Sequence, residues 1–344
     1  LNDYFAIADH KNIDGFGVGK KVVVDLVDGG GAYDAPSCRV VRVLGEVGVH
    51  EVEMNAIMWE FGLPMEFPDE VVRAAEQIKD GATDKVISER RDMRDRTTLT
   101  IDPYDAKDLD DALSLTTLEN GNLEIGVHIA EVSFYVKPKG AVEKEAKNRA
   151  TSVYLVDRVI PMLPERLSNE LCSLNPGTDK LTYSAVFEMK PTGKVVKRWF
   201  GRTAIHCDHR FAYEDAQGVI DGADHDLAHE VRTLHRLAQE LRKARISGGS
   251  LEVVGKEVKF RLGENGEPLN VYEKIMVPAN WLIEEFMLLA NREVAKRGGA
   301  NAGKTRPFVY RVHDTPDPEK ISDLKRLVKA FGHDLRVQKG EPLN

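Results

Sequence analysis

Short apolar runs separated by glycine-rich breaks fill the first fifty residues. Runs of about four to eight residues bounded by glycines are typical of β-strands. The predicted strands are Tyr4–Ala8, Lys21–Leu26 and Val40–Leu44, and the breaks lie at Gly15–Gly19 and Gly29–Gly31. These strands are too few to close a small barrel, so the pattern predicts the last part of one.

A helical pattern begins beyond Asn55. Pro68 and Asp69 form a helix start, and the apolar residues that follow share one face: Val71, Val72, Ala75 and Ile78. This helix belongs to a predicted connector over residues 55–95. Further helices are predicted at Ala141–Arg149, Asp226–Ile246, Pro278–Arg297 and Pro318–Phe331.

Predicted strands alternate with these helices at Leu123–Val136 and Tyr183–Met189, beside turn sequences at 119–122 and 191–194. Along Asp226–Ile246 the apolar residues recur at helical spacing, which predicts that they are core: Leu227, Val231, Leu234, Ala238 and Leu241. The mixture predicts an α+β fold with mixed sheets flanked by helices.

The composition is that of a globular protein. Of its residues, 42% are hydrophobic and 30% are charged. The length of 344 residues is enough for two or three domains. No apolar run approaches the ~18–20 residues of a membrane span, and neither a signal peptide nor a natural start is visible at Leu1. Cys38, Cys172 and Cys207 are far apart in sequence, a spacing that indicates neither a zinc site nor a disulfide framework. A reducing cytoplasm is therefore the expected compartment.

Net charge alone does not identify a partner. The chain has 48 basic and 56 acidic residues, a net charge of −8, which argues mildly against nucleic acid binding. Basic residues nevertheless cluster locally: Arg90, Arg91, Arg94 and Arg96; Lys304, Arg306 and Arg311; and Lys325, Arg326 and Lys329.

Five aspartates lie within ten residues: Asp102, Asp105, Asp108, Asp110 and Asp111. So many carboxylates repel one another unless arginines or divalent metal ions compensate their charge. A strand-like run, Thr98–Ile101, precedes them and an apolar run, Ala112–Leu115, follows. Because both flanks predict packed structure, the segment indicates a metal site for phosphate chemistry.

Other interpretations fit this segment less well. Aspartate-rich stretches are often solvated turns or helix caps, but this one follows a predicted strand. An EF-hand loop starting at Asp108 would have Leu113 at position 6, where glycine is required. The glycines of Gly15–Lys20 match neither a P-loop nor a dinucleotide-binding spacing.

Clustered carboxylates suit Mg²⁺ or Mn²⁺. Two such ions about 3.5–4 Å apart can activate water and stabilise the leaving oxygen in phosphodiester cleavage. Phosphoryl transfer requires mainly positioning and charge neutralisation from the protein. The absence of a candidate Ser/His/Asp triad agrees with this chemistry.

Several long motifs resemble one family. TIDPYDAKDLDDALSL, which contains the aspartates, is similar to the catalytic segment of the RNase II/RNase R exoribonucleases (the RNB domain). The resemblance covers roughly residues 95–344 and includes VHIAEVSFYV, SVYLVDRVIPMLPERLSNELCSLNP, WLIEEFMLLANREVA and FVYRVHDTPDP. EVEMNAIMWEFGLPMEFPDEV resembles the exit from a second cold-shock domain and favours the RNase R branch.

The resemblance implies a domain order. Residues 1–54 would be part of a β-barrel, OB-type cold-shock domain, residues 55–95 a helical connector, and residues 96–344 the N-terminal part of the RNB catalytic domain. The family's later SPIRRYxDL motif, its first cold-shock domain and its C-terminal RNA-binding OB fold have no counterpart here. The chain is therefore expected to be truncated at both ends and weakly active or inactive alone.

The resemblance also implies an activity. Family members hydrolyse single-stranded RNA processively from the 3′ end and release 5′-mononucleotides. The family's catalytic, metal-binding aspartates match Asp102, Asp108, Asp110 and Asp111, and Asp110 matches the most critical of them. The implied cofactor is Mg²⁺, or alternatively Mn²⁺. Asp105 is expected to be a solvated turn residue.

RNA-binding residues are implied as well. Tyr154 matches a tyrosine that stacks on the 3′-terminal nucleotide, a contact worth about 1–3 kcal/mol per base. Contacts to the RNA channel are expected from Asn291, beside Glu284 and Glu285, and from Arg311 and His313. His128 is expected to be a structural, hydrogen-bonded histidine, and Glu131 carries no assigned role.

The expected partner is the 3′ end of single-stranded RNA, with the ribosome or RNA-decay factors as further candidates. The chain is expected to be a cytoplasmic monomer without membrane contact. Two alternatives stay open: a catalytically inactive RNA-binding homologue, and a metal phosphohydrolase that acts on small molecules.

Overall fold

The computed structural model describes residues 6–9, 14–28, 36–250, 255, 257–264, 266–299, 308–312 and 314–335. The strands are β1 (Ala6–Asp9), β2 (Lys20–Asp28), β3 (Ser37–Glu46), β4 (Arg91–Asp92), β5 (Thr97–Asp102), β6 (Asp111–Thr117), β7 (Leu123–Ala130), β8 (Val153–Tyr154), β9 (Val159–Ile160), β10 (Asp179–Met189), β11 (Val195–His206), β12 (His209–Ala212), β13 (Glu257–Leu262) and β14 (Pro268–Lys274). The helices are α1 (His50–Glu60), α2 (Asp69–Glu76), α3 (Asp84–Ser88), α4 (Val132–Tyr135), α5 (Ala141–Arg149), α6 (Tyr213–Ile220), α7 (Ala228–Ser247), α8 (Pro278–Gly299) and α9 (Pro318–Ala330). A π-helical turn spans Arg166–Leu171.

The described residues form two compact units. The first draws on residues 1–83, 131–173 and 255–275, and the second on residues 84–130, 174–254 and 276–344. Each unit is thus assembled from several stretches of chain. The domain boundaries expected after residues 54 and 95 stay a prediction.

The first unit contains a small sheet of order β1-β3-β2. β2 is antiparallel to β3, and β1 is parallel to it. The predicted β-structure of this region is confirmed, although Tyr4 and Phe5 lie outside the described residues. α1 was not predicted, because its buried residues Val52, Met54 and Met58 do not follow a single helical stripe.

A buried arginine organises the middle of the first unit. Arg149 is the last residue of α5, whose predicted bounds are confirmed. Its guanidinium donates hydrogen bonds to the carbonyls of Pro64 at 2.9 Å, Glu66 at 2.6 Å and Pro161 at 3.1 Å. These bonds tie the segment ahead of α2 to the segment after β9.

The second unit is built on a seven-stranded sheet of order β12-β5-β6-β7-β10-β11-β4. The five central strands are antiparallel, and β12 and β4 join the two edges in parallel. Side chains alternate across a sheet, so one face presents the apolar residues that pack against α6, α7 and α8. The predicted α+β class and the predicted core of α7 are both confirmed, with Val231, Leu234 and Ala238 buried.

The opposite face of the sheet carries a buried polar network. His128 is fully buried, with Nδ1 2.7 Å from Oγ of Ser184 and Nε2 2.9 Å from Oγ of Ser114. Burial lowers the pKa of His128 to about 3, so the ring is neutral. The expected structural role of His128 is confirmed.

The second half of the predicted strand Leu123–Val136 is wrong. β7 ends at Ala130, and α4 follows. The neighbouring ladders stop at this point, since the last pairs are Ile129 with Asp111 of β6 and Ala130 with Thr182 of β10. Without a partner the chain does not continue as a strand. β11, β13 and β14 were not predicted either.

No helix among the described residues has the length and apolarity needed to cross a bilayer.

Candidate active site

Two adjacent strands bring the ends of the aspartate segment together. Asp102 is the last residue of β5, and Asp111 is the first residue of β6. In an antiparallel pair, one strand begins beside the point where its neighbour ends. The loop of residues 103–110 therefore leaves the end of β5 and returns to the adjacent start of β6. β12 flanks β5 on its other side, with Ala212 opposite Asp102.

A buried leucine anchors the second half of this loop. Leu109 is 1% exposed, and its carbonyl accepts a hydrogen bond from the backbone N–H of Leu174 at 2.9 Å. The carbonyl of Asp110 accepts one from the N–H of Ala130 at 3.0 Å. Asp108 and Asp110 therefore flank a core residue, and the prediction that packed structure anchors the acidic segment is confirmed.

Arg210 clamps the first half of the loop. It lies on β12, and its Nη2 donates to the carbonyls of Pro103 at 3.1 Å, Tyr104 at 2.9 Å and Ala106 at 2.8 Å. Its positive charge also favours the ionised form of Asp102. Sequence reasoning missed Arg210, because only the pairing of β12 with β5 brings it to a loop more than a hundred residues earlier.

The carboxylates of the site raise one another's pKa. Burial, followed by repulsion from Asp111, raises the pKa of Asp102 to about 7. Burial and the neighbouring Asp110 raise the pKa of Asp111 to about 6. Partial desolvation and Asp108 also raise the pKa of Asp110, although Asp110 keeps an exposed face. The four predicted site aspartates thus lie close enough to interact, whereas Asp105 is an exposed turn residue as expected.

This donor set fits a divalent cation. Oδ2 of Asp102 is buried and has no hydrogen-bond partner among the described residues, and an orphaned carboxylate oxygen is costly unless a cation or donor compensates it. In the described part of the chain, however, no three His, Cys, Asp or Glu side chains are arranged to hold a metal ion. Binding one ion through three of the aspartates therefore requires their side chains to reorient.

A tyrosine that the sequence did not single out lies beside the carboxylates. Tyr213 follows β12 directly and begins α6. Burial raises its pKa to about 12, with contributions from Asp102 and Asp111, so the hydroxyl stays protonated. Nothing in the spacing of RFAYE distinguishes Tyr213, because its proximity to the aspartates depends on the tertiary fold.

Tyr154 belongs to the first unit. It lies on the short hairpin of β8 and β9, and its side chain is 65% exposed. Tyr154 is therefore not a core residue. Its stacking role stays a prediction.

The remaining predicted RNA-binding residues are distributed over the second unit. Asn291 is exposed on α8, and Arg311 is exposed in the segment 308–312. His313 lies outside the described residues. On the same helix as Asn291, Glu285 is buried and accepts hydrogen bonds from Arg245, the shortest at 2.5 Å.

Sequence profiles of two domains match the chain. The RNB domain matches residues 90–342, about three quarters of the chain. A cold shock domain matches residues 2–68.

Curated relatives are similar over most of the chain. Ribonuclease R of Thermotoga maritima is 40% identical over 330 residues, which cover 94% of this chain and 46% of the relative. DIS3-like exonuclease 2 of Schizosaccharomyces pombe is 39% identical over 320 residues, covering 88% of this chain and 34% of the relative. The chain thus spans less than half the length of these two relatives.

Solved structures share the fold. RNase R of Mycoplasma genitalium, in complex with ribose-methylated single-stranded RNA, aligns with a TM-score of 0.86 at 24% identity, covering 97% of this chain and 53% of the other. The yeast pseudonuclease Ssd1 aligns with a TM-score of 0.69 at 17% identity, covering 94% of this chain and 40% of the other. The RNB domain match over three quarters of its length, together with the 40% identity to ribonuclease R, shows that the chain belongs to the RNB domain family and carries a cold-shock-like domain ahead of the RNB part.

Proposed function

We propose that the protein carrying this chain is a 3′→5′ hydrolytic exoribonuclease that degrades single-stranded RNA processively to 5′-mononucleotides. The observation that carries the proposal is the gathering of four aspartates where β5 ends and β6 begins, in a chain of the RNB family. The similarity to a ribonuclease and to an exonuclease supports the reaction class.

In this proposal Asp102, Asp108 and Asp111 would hold Mg²⁺, or Mn²⁺. A bound divalent cation supplies Lewis-acid activation of water and stabilises the leaving oxygen. The raised pKa values of Asp102 and Asp111 are consistent with this role. Mutual repulsion and burial oppose full ionisation of these carboxylates, and the positive charge of a bound cation would compensate that repulsion.

Asp110 is proposed as the residue most critical for cleavage. Its backbone is fixed by the hydrogen bond between its carbonyl and Ala130, while its side chain keeps an exposed face. An accessible carboxylate there can orient an attacking water and, when it is ionised, accept its proton. Arg210 preserves the loop that presents this carboxylate.

Tyr154 is proposed to stack on the 3′-terminal base. Stacking on an aromatic ring tolerates every base, as a degradative enzyme requires. The exposure of Tyr154 supports this role. Asn291, Arg311 and His313 remain proposed contacts to RNA, and the cytoplasm remains the proposed compartment.

The experiment compares Asp110→Asn with Asp105→Asn in the full-length protein. The substrate is a 5′-labelled single-stranded RNA, incubated with Mg²⁺ or with a chelator, and the products are separated on a sequencing gel. We expect Asp110→Asn to lower the cleavage rate by at least about a thousandfold, and Asp105→Asn to behave as wild type because Asp105 is exposed. Undiminished cleavage by Asp110→Asn would refute the proposed role of the aspartates.

The second candidate function is RNA binding without cleavage. The similarity to the fold of a pseudonuclease favours it. All four aspartates are present, which favours the enzyme. Retained RNA binding with no detectable wild-type cleavage under either metal would select this alternative.

A further inference from the structure

A network of charged side chains joins helix α1 to the hairpin that carries Tyr154. The hairpin consists of β8, β9 and the turn of residues 155–158 between them. Asp157 and Arg158 lie in this turn, and their side chains contact His50 and Glu51, the first two residues of α1. All four residues belong to the first unit.

The contacts link the four side chains in one continuous chain of hydrogen bonds, from His50 through Asp157 and Arg158 to Glu51. Oδ2 of Asp157 lies 2.9 Å from Nε2 of His50. Arg158 binds Glu51 in a bidentate manner, with its two terminal nitrogens 2.9 Å and 2.5 Å from the two carboxylate oxygens. Nη2 of Arg158 also donates to Oδ2 of Asp157 at 2.6 Å. Bidentate pairing between a guanidinium and a carboxylate fixes direction as well as distance, so the turn is oriented relative to α1.

Asp157 is the protected member of the network. Its side chain is 9% exposed. Hydrogen bonds from Arg158, and also from His50, lower its pKa. A shielded, ionised carboxylate holds its two partners together more firmly than an exposed pair does.

A third segment confines His50 from another side. The turn between β13 and β14 approaches the imidazole so closely that a Cβ on Gly266 would lie 2.7 Å from Cδ2 of His50. Gly266 also has a φ of 81°, which favours glycine. His50 therefore has little room to turn away from Asp157.

The hairpin has little stability of its own. Its ladder consists of two residue pairs, Val153 with Ile160 and Tyr154 with Val159. One turn hydrogen bond is added, from the N–H of Leu155 to the carbonyl of Arg158 at 2.8 Å. Two-stranded hairpins are marginal in water even when they are longer, so contacts outside the ladder determine where Tyr154 lies.

We propose that His50, Glu51, Asp157 and Arg158 are positioning residues that hold Tyr154 and thereby set the length of the final RNA product. The inference rests on the proposed function, in which Tyr154 holds the terminal nucleotide. The length of the last fragment depends on the shortest RNA that the protein still binds productively. Displacing the tyrosine changes that limit without removing the carboxylates that act in cleavage.

The test uses Arg158→Met in the full-length protein and a 5′-labelled single-stranded RNA. We expect the cleavage rate on long RNA to stay within about threefold of wild type, since a surface ion network contributes little to overall stability. The final product should become longer or heterogeneous in length. Glu51→Gln should change the product length in the same direction. The double variant should change it no further than Arg158→Met does, because both substitutions break the same contact between Arg158 and Glu51.

The matched control is Arg166→Met, which breaks an exposed pair with Glu170 in the same unit. It should leave the product length unchanged. Arg158→Lys, which keeps the charge but loses the bidentate contact, should give an intermediate product. Thermal melting identifies any variant that fails to fold, and Arg158→Lys then carries the test.

A second measurement needs no cleavage. Hydrogen exchange of the amides of residues 153–160, without RNA, should be faster in Arg158→Met than in wild type or in Arg166→Met. Wild-type product length in Arg158→Met, or a changed length with unchanged exchange, would overturn the inference. Absence of RNA degradation by the wild-type protein would instead overturn the proposed function, so the two failures are distinguishable.

Discussion

The aspartate loop and the Tyr154 hairpin are held in place by different forces. The loop is fixed by the ends of two sheet strands, by the buried Leu109 and by hydrogen bonds to its backbone carbonyls. The hairpin has a two-pair ladder, is anchored at its base by the buried Ile160, and is joined to α1 by side-chain ion pairs. Burial and backbone bonds leave little freedom, whereas ion pairs near the surface are weak and screened by salt.

The difference agrees with the two proposed tasks. Carboxylates that repel one another separate unless the backbone that carries them is rigid, and cleavage depends on their positions to within a fraction of an ångström. A stacking tyrosine must accept each base in turn and tolerates a softer support. Experiments that weaken one support at a time can separate these roles.

The largest expected effect is on the aspartate side. Burial and Asp111 raise the pKa of Asp102 to about 7, so the folded state binds the proton more tightly than the unfolded state. The free energy of unfolding therefore falls as the pH rises from about 4 to about 7. In the absence of divalent ions at pH 8, Asp102→Asn should raise the free energy of unfolding by on the order of 2–4 kcal/mol.

Urea unfolding at several pH values, in the presence of a chelator, measures this effect. The gain should shrink as the pH is lowered from 7 towards 4, since the wild-type carboxyl becomes protonated in the folded state, and it should disappear below about 4, where the unfolded state is protonated as well. Asp105→Asn is the control, because Asp105 is exposed. Equal stability of wild type and Asp102→Asn at pH 8 would show that Asp102 is not forced to carry an unfavourable charge.

An intermediate effect is expected from Arg210→Met. Loss of three hydrogen bonds to the loop should lower the cleavage rate about ten- to a hundredfold and weaken the affinity for Mn²⁺ measured by calorimetry. Arg232→Met is the matched control, because Arg232 donates to the carbonyls of Val219 and Ala223 in the same unit. If both variants lose Mn²⁺ affinity equally, Arg210 has no special role in shaping the site.

The smallest effect should distinguish the two supports directly. Raising the salt concentration screens the exposed pair of Arg158 with Glu51, which is worth at most about 1 kcal/mol. Hydrogen exchange of residues 155–158 should become faster at high salt, while exchange of the loop 103–110 should not change. Similar salt sensitivity in both segments would contradict the contrast drawn between them.

The elements predicted well are those with a strong local pattern. The bounds of α5 match the prediction, and α7 and α8 agree to within two residues at each end. Their apolar residues recur at helical spacing or follow clear start signals. α1 and β11 lack such a stripe, and the end of β7 depends on where β6 and β10 stop.

The same division applies to the candidate site. The aspartates are adjacent in sequence, so their spacing alone predicted the cluster, and family resemblance assigned their roles. Arg210 and Tyr213 are in no way distinctive in the sequence, and they reach the site through the pairing of β12 with β5. The contacts of Asp157 and Arg158 with α1 likewise join residues 107 positions apart.

The sequence by itself determined that this chain gathers four aspartates where one strand ends and the next begins, because that feature is local, and its long motifs indicated the RNB family by resemblance. The tertiary structure decided which carboxylates are buried, how their pKa values respond, which arginine holds their loop and what supports Tyr154. These properties depend on desolvation and on contacts between distant segments, and neither is encoded in the spacing of neighbouring residues.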